Sequence, residues 1–97
     1  MQYQVEQTEL DLVRTLLAGY PHATHVQVVA RGDTLALVSG KKPDVQKHAR
    51  LTRLGKSCWA ISLPRHTGAW EKTPFMGPLP DMVRMIAVDL ALFLDRP

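Results

Sequence analysis

Trp59, Ile61 and Leu63 alternate with Cys58, Ala60 and Ser62, and a turn at 64–67 then brings Trp70 back toward them. Period-two alternation of this kind specifies a strand with one buried face, because successive side chains leave the pleat on opposite sides. The stretch 56–80 is therefore a β-hairpin with one apolar face. A four-residue loop at 64–67 pairs Ile61 with Trp70 and gathers Trp59, Ile61, Leu63 and Trp70 on that face. A five-residue loop would set Glu71 opposite Ile61, so the shorter loop is preferred because it avoids burying a carboxylate. Both indoles are then expected in the core.

Two further β-rich segments, 25–31 and 34–39, flank Gly32-Asp33, a pair suited to a two-residue turn that needs positive φ. Pairing Arg31 with Thr34 places Val28 opposite Leu37 and Ala30 opposite Leu35. The segment between Gly40 and Gly55 carries Pro43 near one end, as a helix would. Its apolar residues, Val45, Ala49, Leu51 and Leu54, nevertheless form no single helical stripe. As a strand it fits, with Leu51 opposite Ile61, Ala49 opposite Leu63, and Arg53 opposite Trp59 where its guanidinium can lie over the indole. Residues 40–46 are read as a surface loop.

Helices bracket these strands. Thr8 and Asp11 resemble a capping box, Val13, Leu16, Leu17 and Tyr20 follow at helical spacing, and Gly19 and Pro21 are stop signals, giving a helix over 8–18. Tyr3 and Val5 alternate with polar residues ahead of it, as an edge strand or an ordered arm. The corner at 75–80 is rich in Pro and large apolar residues. Pro80 and Asp81 then open a second helix that the pattern carries to Leu94. Its core face is Met82, Val83, Ile86, Ala87, Leu90, Phe93 and Leu94. Met85, Val88 and Leu92 form a second apolar ridge between Asp81, Arg84, Asp89 and Asp95, which a single layer beneath the helix would leave outward.

The expected fold class is α+β: an N-terminal helix, an antiparallel four- to five-stranded meander sheet and a C-terminal helix, in a two-layer α/β sandwich. At 97 residues this is one domain, 1–97, since two cores of half that size would each bury too little surface to offset chain entropy. The single cysteine rules out an intrachain disulfide and points to a reducing compartment, with the cytoplasm as the default. No charged-then-apolar leader opens the chain. The longest apolar tract, 82–94, is interrupted by charge and shorter than the roughly 20 residues a bilayer requires, so no membrane association is expected.

Catalytic and metal chemistry find little support. No phosphate-binding glycine loop, nucleophile elbow, zinc-protease helix or calcium loop occurs. His22 and His25 stand three apart, but Pro21 places them on a turn without a carboxylate pair, and they read as surface histidines rather than ligands. Cys58 lies most of a strand away from His66 and is read as a small sheet residue. The exposed tip Arg65-His66-Thr67-Gly68 carries varied donors, which turn formation alone explains. No catalytic residue, metal or cofactor is expected.

Two binding functions remain. Lys41, Lys42, Lys47, Arg50, Arg53 and Lys56 against Asp44 alone put a net +5 into the segment 41–56, leaving −2 for the remainder of a chain whose total is +3. Such a segment can neutralise phosphates, but with both tryptophans assigned to the core it lacks bases' stacking partners, and a solvated edge that discourages strand addition is the more economical reading. The leading expectation is a non-enzymatic protein-interaction module, a homodimer or a partner of another protein, contacting through Met85, Val88 and Leu92. Nucleic-acid binding through the basic segment is the alternative.

Overall fold

The structure, a computed structural model, describes residues 4–41 and 44–94. Its element order is α1 (Gln7–Ala18), β1 (Gln27–Arg31), β2 (Thr34–Ser39), β3 (Gln46–Arg53), β4 (Trp59–Pro64), β5 (Trp70–Gly77) and α2 (Leu79–Val88), with short 3-10 turns at Pro21–Ala23 and Ala91–Leu94. All five strands form one antiparallel sheet in chain order. This is the two-layer α+β arrangement that the alternation and the helical stripes imply.

The Gly32-Asp33 turn forms with Gly32 at φ +58°, and Arg31 pairs Thr34, Val28 pairs Leu37 and Ala30 pairs Leu35. Residues 46–53 are extended, with Leu51 opposite Ile61 and Arg53 opposite Trp59. Val13 and Leu17 of α1 and Met82, Val83 and Ile86 of α2 pack over Leu35, Leu37, Leu51, Trp59 and Ile61, so both helices lie on one face of the sheet. Among the described residues, no helix lies over the other face.

Four local expectations differ. The capping box uses Glu6 and Glu9 rather than Thr8 and Asp11: Glu9 accepts the Glu6 N–H at 2.9 Å, and α1 starts at Gln7. The preceding arm is ordered without being a strand, one of its two expected forms: Val5 N–H donates to Gly32 O at 2.8 Å, while Tyr3 lies outside the described residues. The corner expected at 75–80 is partly strand, since β5 runs to Gly77. Across from Ile61, extra residues of β5 bulge out, and Thr73 bridges the gap by donating to Ile61 O at 2.8 Å and accepting from Phe75 N–H at 3.2 Å. Pro74, which has no N–H to pair, sits within that bulge.

The last helix is the fourth. It stops at Val88 instead of continuing to Leu94, and Ala91–Leu94 forms a separate turn that buries Leu94 completely. Asp89 at the helix end opposes the macrodipole, and no basic residue stands in the last turn. Histidines supply the missing donors. His22 Nε2–H donates to Ala87 O at 2.7 Å, His25 Nε2–H to Leu94 O at 2.5 Å, and His48 Nδ1–H to Phe93 O at 2.7 Å. The turn histidines thus hold the C-terminal segment down, His22 from the exposed surface and His25 from a half-buried position.

Candidate functional site

The uncovered sheet face is where the basic strand and an indole meet. Between Leu37 and Val38 the β2–β3 register slips by one: Leu37 pairs Ala49, whereas Val38 pairs Lys47, and His48 is the extra residue. Simple alternation would put Lys47 and Arg50, three apart, on opposite faces. The bulge puts both on the open one. His48 turns inward, fully buried, where its Nε2 accepts from the Ser39 hydroxyl at 2.7 Å. Burial, and secondarily the nearby His25 ring at 5.5 Å, hold its pKa below the usual 6.5 despite the opposing pull of the Phe93 carbonyl.

Trp70 reaches the same face through a longer loop than expected. Residues 65–69 form the turn, with Arg65 N–H donating to Ala69 O at 2.8 Å and Gly68 at φ +90°. Pro64 therefore pairs Trp70, and Leu63 pairs Glu71. This corrects the assignment of Trp70 to the core: only Trp59 is buried there. The carboxylate that argued against a longer loop is not buried either, because β5 is an edge strand and Glu71 is exposed beside Arg65, 3.3 Å away.

Over the half-buried Trp70 ring lie two cations, Arg50 Cζ at 5.0 Å and Lys47 Nζ at 5.5 Å from its centre. Lys47 is further fixed by donating to Gly68 O at 2.8 Å. Arg50 Nε is buried and has no hydrogen-bond partner among the described residues, a donor left in the floor of the face. A shallow concavity of about 820 Å³ surrounds them, with Val29, Ala36, Val38 and Val45 as its apolar centre and Arg31 and Lys41 on its rim. Among the described residues lining it there is no carboxylate. A planar guanidinium, an ammonium group, an indole and an aliphatic floor together can take an anionic ligand that also carries flat apolar surface.

The six basic residues singled out in the sequence separate. Lys41, Lys47 and Arg50 line this face. Lys56 is exposed in the β3–β4 turn and does not line it, and Lys42 lies outside the described residues. Arg53 belongs to the helix side: its Nη1 pairs Glu9 at 2.8 Å and donates to Gln4 O at 3.0 Å, while Nε and Nη2 donate to Gly55 O and Lys56 O. Lying 5.9 Å from the Trp59 ring centre, as its register implied, it joins α1 to the sheet and is not offered to a ligand.

Of the apolar ridge, Met85 is partly buried against the core, Val88 is 53% exposed on α2, and Leu92 is 84% exposed on the turn after it. Because the helix ends at Val88, the three do not form one continuous helical stripe. Trp70 is the site residue that the sequence placed on the wrong face; Val29, Arg31, Ala36 and Val38 lie, as the β1–β2 register implies, on the face opposite Val28 and Leu37. Only the loop length could have signalled Trp70, and both lengths weighed for it gave the wrong register.

Among the described residues no group of three or more His, Cys, Asp or Glu side chains is placed to hold a metal ion, and no helix is long and apolar enough to cross a membrane. Comparison with protein-family models, with curated proteins and with solved structures finds no match.

Proposed function

We propose that this small α+β domain is a non-enzymatic binding module that takes single-stranded nucleic acid on its open sheet face. The observation that carries this is the placement of Lys47 and Arg50 together over Trp70 on the face that neither helix covers. Nucleic acid ranked second in the sequence for want of an aromatic partner beside the cations, and Trp70 supplies one. An unpaired base can stack on the indole in place of Lys47 or continue the stack beyond the Arg50 guanidinium. Phosphates then fall to Arg31, Lys41 and the displaced ammonium. A strand face without a protruding helix or ribbon suits splayed bases better than a duplex groove.

Fluorescence anisotropy with a mixed single-stranded oligonucleotide pool tests this. Three cations on phosphates, at roughly 0.7 each, give a slope of about −2 in log affinity against log salt, with a duplex of the same sequences weaker. Absence of binding at low salt removes the proposal.

A second reading, contact with another protein through the end of α2, is favoured by the exposure of Val88 and Leu92. Leu92→Asp should then abolish capture of that partner while leaving oligonucleotide binding intact. Loss of both together would count against two separate surfaces.

A further inference from the structure

The two outer edges of the sheet are unlike. β5 protects its edge with Pro74, a bulge and the charges of Glu71 and Lys72. β1 has no proline or bulge and a single charge, at its end: its sequence is Gln-Val-Val-Ala-Arg, its ladder with β2 is unbroken, and four of its five residues are exposed. Arg31 and Thr34 flank a two-residue turn and so bond to each other, which makes Val29 and Gln27 the next inward-bonding positions. Val28 and Ala30 therefore aim their N–H and C=O groups away from the sheet. Consistent with this, Val28 O accepts from Arg14 Nη2, an outside donor, at a long 3.4 Å. A recess of about 640 Å³ between α1 and this strand keeps the edge from being roofed over.

We infer that this edge pairs with the same edge of a second copy of the chain, antiparallel about a two-fold axis at Val29. In that register Val28 of each copy exchanges both backbone hydrogen bonds with Ala30 of the other, and Val29, 46% exposed, meets its own counterpart. Arg31, the only charge on the strand, lies across from the neutral Gln27, whose amide oxygen accepts from a guanidinium. No like charges face each other. The weak Arg14 contact gives way to a backbone donor. Because the axis is perpendicular to the sheet, ten strands become continuous and the two open faces lie on the same side.

Sedimentation equilibrium of the full chain, without nucleic acid, from micromolar to millimolar concentration tests the inference. A reversible dimer is expected. Ala30→Pro removes one outward N–H while leaving the β1–β2 ladder whole, and should weaken the dimer at least tenfold with the circular dichroism spectrum retained. Val29→Lys, which opposes two ammonium groups across the axis, should do the same if the proline variant does not fold. Val29→Cys in a Cys58→Ser chain should form an intermolecular disulfide, since directly opposed Cα atoms at about 4.5–5.5 Å meet the bond's requirement. A chain that stays monomeric throughout overturns the inference. So does a dimer that survives both Ala30→Pro and Val29→Lys, or one that Leu92→Asp alone dissolves.

Discussion

His48→Leu is the substitution whose outcome depends most closely on how the C-terminal segment is held. The imidazole is fully buried at the β2–β3 bulge, donates to Phe93 O and accepts from the Ser39 hydroxyl, each at 2.7 Å. Leucine keeps the side chain apolar and of similar bulk, so the cavity contribution is small and the cost is polar. Two groups lose their partners inside the protein, at about 1–3 kcal/mol each, or about 2–6 kcal/mol together. That is a large part of the roughly 5–15 kcal/mol by which such a domain is stable. Urea unfolding followed by circular dichroism at pH 7.5 should show this loss, and amide exchange should quicken first at 91–94. Ser39→Ala in the His48→Leu chain removes one stranded hydroxyl and should restore about 1 kcal/mol. A neutral His48→Leu, or no recovery on adding Ser39→Ala, would refute the latch.

The pH dependence follows with a definite sign. Burial holds the folded-state pKa of His48 below 6.5, so below that pH the unfolded chain takes up the proton more readily than the folded one. Its contribution is complete above about pH 7 and is lost as pH falls through 6.5 toward the folded value; His48→Leu should flatten that part of the stability profile. Arg53→Ala should cost about 2–4 kcal/mol in urea unfolding, because it breaks a largely buried ion pair with Glu9, but leave oligonucleotide affinity unchanged. Gly40→Ala should destabilise by about 1–3 kcal/mol, since Gly40 sits at φ +86° and an added Cβ would lie 2.7 Å from Asp44 O.

Pairings set by the turns at 32–33 and 55–57 were legible in the sequence, and those beyond the β2–β3 slip or across the 65–69 loop were not. Gly32-Asp33 sets the β1–β2 pairing, and the alternation of Trp59, Ile61 and Leu63 places Leu51 and Arg53 correctly across from them. Strict alternation then fails at two points. One extra residue at His48 moves Lys47 onto the face of Arg50, and the longer loop before β5 moves Trp70 there as well. The bulge leaves no mark in local propensity, because the inward turn of His48 depends on the distant Phe93 carbonyl and on Ser39. The end of α2 escaped for the same reason. Residues 82–94 have a continuous helical pattern, and the carbonyls that His22, His25 and His48 bind in that segment are visible only in three dimensions.

Ultraviolet crosslinking of a bound single-stranded oligonucleotide, with the adducts located by mass spectrometry, bears most directly on where the ligand lies. Adducts are expected on Trp70 and on neighbouring residues of β1–β3, and Arg50→Gln should reduce them together with affinity. Adducts confined to Lys56, His66 or the C-terminal turn, with Trp70 unmodified, would contradict a ligand on the open face.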